Sequence, residues 1–247
     1  MKKTIFSLSL FFTGLLAQSQ TADEIINKYF ENTGGKEKYE KLQGTKSIVK
    51  IKFGTFELPA EDVKLKDGKS WSKAIFQGMS MYQNVYDGTT LWSTNQMTMK
   101  AEKADSETLE NFKNNESVSF PVPLLYYKKN GFIAEYMGKE KVEGTEYFKI
   151  KLTKKPKKQD GKEIANVSFY YFDMENYVPI VTEEEITSGP GAGKKVQVFL
   201  GDYQEVEGIT FPFSVDTKVD GQSQMSIKIE KMELNPKVDD IIFKFVE

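Results

Sequence analysis

The stretch "SIVKIKF", residues 47–53, decides how the rest of the chain is read. Val49, Ile51 and Phe53 fall on one side and Lys50 and Lys52 on the other, which is the two-residue period of a half-buried strand. Upstream the period is different. "TADEIINKYFENTGG" places Ile25, Ile26, Tyr29 and Phe30 at helical spacing, with Thr21 or Asp23 as cap and Gly34-Gly35 as stop. "KEKYEKL" continues as a second short helix. From Thr45 onward the alternation recurs: Phe148, Ile150 and Leu152 in "YFKIKLT", Val196, Val198 and Leu200 in "KKVQVFL", Phe211, Phe213 and Val215 in "TFPFSVDTKV". Turn signals "KDGK", "YDGTT", "VEGTE", "QDGKE", "VEGIT" and "VDGQ" separate many of these runs. The pattern predicts a mainly β chain with a few helices, an open, strongly curved antiparallel β-barrel of about eleven strands.

Two segments interrupt the rhythm. "TSGPGAGKK", 187–195, resembles a phosphate loop in composition but fails in spacing. The first glycine of such a loop should stand at 188, which is Ser188, and the magnesium-binding hydroxyl should follow Lys194, where Lys195 stands. It lies between two strand patterns with no helix after it, so it reads as a hairpin loop. Residues 103–131 carry a helix capped by Asp105, with Leu109 and Phe112, and then "VSFPVPLLYY". Pro121 and Pro123 exclude that stretch as a central strand, so it is expected to fold over the sheet.

Composition excludes several classes. The chain has no Cys and no His, and every one of its 34 basic residues is Lys. Disulfides, a lipid-modified N-terminal Cys, His-dependent triads and His-ligated zinc are therefore unavailable. So is guanidinium clamping of phosphate. No metal site or cofactor is expected. The formal charge is −2, and −4 once Lys2 and Lys3 are removed with a leader, which makes nucleic acid a poor partner. The first nineteen residues, "MKKTIFSLSLFFTGLLAQS", have two lysines, an apolar run and small residues Ala17 and Ser19 before Gln20. They read as a secretory signal peptide, leaving 20–247 as one domain. Thirty-six acids guarantee some carboxylate pairs, and no spacing singles one out, so an enzyme is not expected.

A wide sheet with one apolar face needs more cover than two short helices and one excursion provide. An apolar ligand cavity follows. Strand parity nominates Phe53, Trp71, Met79, Met81, Trp92, Phe148, Ile150, Val198, Phe211 and Phe213 as its wall. The helix stripe and the excursion nominate Ile26, Tyr29, Phe30, Leu124 and Leu125 as its lid. The pairs Met79/Met81 and Met97/Met99 suit a wall that meets variable apolar ligands, and equally suit ordinary core. The lysines of "KKPKK", 154–158, and the glutamates of "EEE", 183–185, read as solvated surface; for the lysines the alternative is contact with anionic lipid or an acidic partner.

Taken in order, "TADEIINKYFENTGGKEKYEKL", "VYDGTTLWSTN", "KVEGTEYFKIKLT", "FYYFDMENYVPIVTEEE", "GDYQEVEGITFPFSV" and "VDDIIFKFV" resemble the outer-membrane lipoprotein-sorting family, the LolA/LolB-like proteins. The resemblance spans about 21–246. It implies an open barrel with helices over one mouth and a cavity for acyl chains. It further implies a soluble periplasmic carrier that binds lipoprotein acyl chains or other lipids and meets inner- and outer-membrane trafficking components. Exposing a 16-carbon chain to water costs about 12 kcal/mol, so such cargo needs cover. The family's carrier latches its lid with an arginine, and this chain has none. The alternative is a non-enzymatic sensor or scaffold using the same fold to bind protein.

Overall fold

The computed structural model describes residues 20–245; the leader expected at 1–19 lies outside them. Helix α1 (Ala22–Asn32) begins at a capping box, in which the Thr21 hydroxyl accepts from Glu24 N–H and the Glu24 carboxylate accepts from Thr21 N–H. Its buried stripe is Ile25, Ile26, Tyr29 and Phe30, as the spacing predicts. Gly34 and Gly35 turn the chain into α2 (Lys36–Lys41).

Fifteen strands follow, more than the sequence pattern predicts. They are β1 (Gly44–Phe53), β2 (Phe56–Leu65), β3 (Ser70–Phe76), β4 (Met79–Tyr86), β5 (Leu91–Thr94), β6 (Ala101–Lys103), β7 (Ile133–Val142) and β8 (Thr145–Thr153). After these come β9 (Lys157–Gln159), β10 (Lys162–Ile164), β11 (Val167–Phe172), β12 (Pro179–Glu185), β13 (Lys195–Val206), β14 (Ile209–Val219) and β15 (Gln222–Leu234). Thirteen form one antiparallel sheet in the order β6-β5-β4-β3-β2-β1-β15-β14-β13-β12-β11-β8-β7, and β9-β10 is a separate hairpin. The sheet is strongly curved and does not close: β6 and β7 are its free edges. The loop 187–194 joins β12 to β13 as a hairpin, with a short 3-10 turn at Gly189–Gly191.

The excursion between β6 and β7 contains α3 (Ser106–Asn111), capped by Asp105, and a π-turn at Phe112–Glu116. It bridges the two arms of the sheet. Phe112 packs on Tyr86 of β4, with ring centroids 5.0 Å apart. On the other side Asn111 pairs with Lys158 through both its amide groups, and Asn166 donates to the fully buried Asn115 at 2.9 Å. Each of these amides is partnered, the buried Asn115 and Asn166 included, so the crossing is fixed by hydrogen bonds as well as by apolar contact.

Candidate functional site

Register assigns each strand residue to a face. Val49 pairs with Ala60 and Ile229, Ile51 with Leu58 and Ile227, and Ile227 with Val215. Val215 pairs with Leu200, and Val198 stands opposite Thr182, next to Tyr170 and Ile150. These residues share the inner face, which the helices cover. Of the ten nominated wall residues, eight lie on it: Phe53, Met79, Met81, Phe148, Ile150, Val198, Phe211 and Phe213.

Trp71 and Trp92 do not. Trp71 is paired with Val63, on the outer face. The turn 77–78 has two residues, so Phe76 pairs with Met79 and Ala74 with Met81. An odd-numbered residue of β3 therefore faces opposite to the odd-numbered methionines of β4. A bulge where β3 passes from Ser70 to Ser72 shifts the parity of β4 once more and places Val85, and with it Trp92, outside. Both tryptophans lie beneath the C-terminal segment. The Trp92 indole N–H donates to the Phe243 carbonyl at 3.1 Å, and Phe243 is fully buried against Val63, Val85 and Trp92. A cleft of about 380 Å³ remains there among Trp71, Tyr82, Trp92, Met99 and Ile241.

The inner face divides into a filled half and an uncovered half. In the filled half Phe148, Ile150, Phe211 and Phe213 join one core cluster with Ile26, Tyr29, Phe30, Leu124 and Leu125. All five nominated lid residues are thus in contact with the sheet's core, and four of the nominated wall residues are filled against them. Tyr39 completes the packing: its ring stands 5.1 Å from Phe30 and 6.0 Å from Phe211, and its hydroxyl hydrogen is shared between the Thr33 hydroxyl and Thr210 O. Burial of the ring pushes the Tyr39 hydroxyl above its usual range.

In the uncovered half, Ile51, Leu58, Met81, Val198, Leu200 and Ile227 are only partly buried and none packs against that core. Towards the β1–β2 and β3–β4 turns the surface opens fully: Phe53 is 60%, Phe56 56% and Met79 44% exposed. Phe56 meets Phe76 edge-on at 6.0 Å. Phe56, Leu58 and Phe76 escape the sequence reading, although the two-residue turns "GT" and "QG" that flank them carry the signal. Further along β2 and β3 the same face becomes polar beneath the excursion. A cavity of about 490 Å³ lies there between Asp62, Lys64, Ser70 and Ser72 and the segment from Phe112 to Pro123. Ser72 donates to Asp62 at 2.5 Å. The whole forms a trough, apolar at the turns and polar under the excursion.

The helical cover is tied to its surroundings by charge. The Asp23 carboxylate accepts from the Tyr127 hydroxyl and from the Lys128 ammonium, joining α1 to the excursion. Lys128 and Tyr127 hold Asp23 below the usual carboxylate range. At the other end of α1, Asn32 donates to Asn176 O, and Lys38 donates to Gly208 O.

Glu183 and Lys154 are not solvated surface, whereas the Glu184 side chain stays 43% exposed. Glu183 is 5% exposed and paired with Lys195 at 2.9 Å. Burial pushes the Glu184 carboxyl up, but Lys154 at 3.0 Å and the Ser168 hydroxyl outweigh it and leave it below the usual range.

These features define a class: an open antiparallel half-barrel with a helical cover on one face. Solved structures share it. A LolA superfamily protein from Nitrosomonas europaea superposes with a TM-score of 0.54 at 11% identity, covering 92% of this chain and 98% of that one. A putative outer membrane lipoprotein-sorting protein domain from Vibrio parahaemolyticus gives 0.53 at 10% identity over 90% and 97%. A DUF1329 family protein from Desulfovibrio piger gives 0.55 at 11% identity over 90% and 97%. The chain therefore has the LolA-like fold. No protein-family model and no curated protein matches the sequence.

Proposed function

We propose that this protein is a non-enzymatic periplasmic carrier that binds the acyl chains of lipoproteins or other lipids in the inner-face trough. The observation that carries the reading is the uncovered half of that face. Ile51, Leu58, Met81, Val198, Leu200 and Ile227 form an apolar surface that the protein's own helices leave partly exposed. Each buried methylene contributes about 0.8 kcal/mol, so an alkyl chain laid along these strands gains most of what it loses on leaving a membrane. The polar cavity at Asp62, Ser70 and Ser72 gives the ligand's head a place at the end of the same strands. The similarity in fold to a lipoprotein-sorting domain agrees with this. So does the leader expected at 1–19, and among the described residues no helix is long and apolar enough to cross a membrane.

The filled half, taken alone, favours the other reading, a sensor or scaffold that binds protein. One experiment separates the two. Mature protein purified from a bacterial periplasm is weighed by native mass spectrometry and its lipids are extracted. A co-purifying acyl species is expected. An apo mass that does not shift on adding a lipopeptide would sink the carrier reading and leave the scaffold.

A further inference from the structure

The sheet has two rims, and they differ in the large apolar side chains they expose. One rim carries the turns 66–69, 87–90, 143–144, 173–178 and 207–208. Their tips are acidic-glycine or acidic-asparagine pairs such as Asp67-Gly68, Asp87-Gly88 and Glu207-Gly208, the usual composition of tight turns. The other rim carries the turns 54–55, 77–78 and 95–100 and, further round, 186–194 and 220–221. Nine large hydrophobic side chains stand exposed among the described residues. Five of them, Phe53, Phe56, Ile75, Met79 and Met97, sit on the three adjacent hairpins of this second rim, and none sits on a turn of the first. Met97 is 92% exposed. Asn95 accepts from Met97 N–H and Thr98 N–H, so the turn is built without the methionine side chain.

Ile75 and Met97 join none of the core clusters, so packing does not require them at those positions. Ile75 faces the outside and Phe53 the inside, so they are not the margin of one buried patch. Phe53, Phe56 and Met79 line the inner lip of the rim with Phe76, while Ile75 faces outward and Met97 stands on the next hairpin, so the group wraps the rim instead of making one flat patch. A folded protein partner calls for one contiguous, complementary surface. Phe, Ile and Met side chains projecting from both faces of neighbouring hairpin tips suit a fluid apolar medium that closes around the rim. The charges on the rim point the same way. Lys52 and Lys100 at these hairpins, Lys155 on the β8–β9 connection and Lys157 at the start of β9 make no ion pair among the described residues, although Lys52 stands opposite Glu57 in the register of β1 and β2.

We infer that this rim is a membrane-docking edge: the tips carrying Phe53, Phe56, Ile75, Met79 and Met97 enter the interface of a bilayer bearing anionic lipid, with Lys52, Lys100, Lys155 and Lys157 against its headgroups. The uncovered half of the trough ends at the same tips, so an acyl chain could pass between bilayer and trough without crossing water. That last consequence rests on the carrier reading. The docking edge itself does not.

The test is flotation of the mature protein with vesicles of phosphatidylcholine alone and of phosphatidylcholine mixed with phosphatidylglycerol. The double variant Ile75→Ser, Met97→Ser changes only side chains outside the trough. The wild type is expected to float with the anionic vesicles, and the double variant to bind them at least about tenfold more weakly. Binding of a fluorescent fatty acid in vesicle-free solution should be equal for both. A wild type that does not float, or a variant that floats equally well, would overturn the inference. So would a wild-type dimer that the two substitutions dissociate, since the rim would then be a contact between copies. Equal binding to the neutral vesicles would overturn the role given to the lysines. Vesicle binding that survives while no fatty acid binds would remove the carrier reading and keep the docking edge.

Discussion

Asp23 on α1 and Tyr127 on the excursion, 104 residues apart in sequence, are joined by a hydrogen bond from the phenol to the carboxylate, which Lys128 also pairs. This is where the two parts of the cover meet. It gives a chain without arginine a means of holding its cover in place.

Tyr127→Phe should cost about 1 kcal/mol in urea unfolding, the contribution of one hydrogen bond. Asp23→Asn should also raise the rate of amide exchange in α1. The pH dependence follows from the depressed pKa of Asp23. Its folded value lies below its unfolded value of about 3.9. The contribution is complete above that unfolded value and is lost as pH falls through the folded value. Protection of α1 in the wild type, taken relative to the intrinsic exchange rate at each pH, should therefore fall below about pH 4 towards that of Asp23→Asn, measured by mass spectrometry. An α1 equally protected in both proteins at neutral pH would show that the latch contributes nothing.

Gly34 has φ +118°, and a Cβ there would stand 2.1 Å from the Gly208 carbonyl oxygen. Neither the backbone angle nor the space admits a side chain. Gly34→Ala should destabilise the protein by about 1–3 kcal/mol or displace the helical cover from the β13–β14 turn. Gly35→Ala, with nothing within 4 Å of its Cβ, carries only the cost of its φ and should be milder. Thermal denaturation of the two variants side by side makes the comparison.

The filled and uncovered halves of the inner face should respond oppositely to truncation. Ile150 is fully buried in the core cluster, so Ile150→Ala should cost about 2–5 kcal/mol of stability. Ile227 and Leu58 are partly exposed, so Ala there should cost well under half as much while weakening acyl-chain binding. Fatty-acid titrations and denaturation curves on the same three variants decide it. Equal loss of stability at all three would mean the uncovered half is ordinary core.

Trp71 and Trp92 are the only tryptophans, and both face outward beneath the C-terminal segment. Their emission should report that segment and ignore the trough. Deleting residues 238–247 should shift it to the red as water reaches Trp92. Saturating the protein with a non-quenching fatty acid should leave it unchanged. A large change on ligand addition would place the ligand on the outer face, in the cleft beside Trp71.

Local periodicity made α1, its cap, the alternating strands and the hairpin character of 187–194 readable, because each depends on residues within a few positions of one another. The face of a given side chain was readable only as far as parity could be carried along the chain. Phe53, Val198, Phe211 and Phe213 lie on the inner face, where parity puts them. Trp71 was misplaced by a two-residue turn, and Trp92 by the bulge at β3 and β4, since either feature exchanges inside and outside for all that follows. Glu183 and Lys154 read as surface because their partners, Lys195 and Glu184, are brought beside them only by strand pairing.

By itself the sequence determined an arginine-, cysteine- and histidine-free β protein with one apolar face too wide for its few helices. Tertiary structure alone decided which half of that face is filled, that the C-terminal segment covers the tryptophans, and that five exposed hydrophobic side chains gather on one rim. Those are outcomes of curvature and of long-range strand order. They depend on contacts between residues many tens of positions apart, which no local pattern encodes.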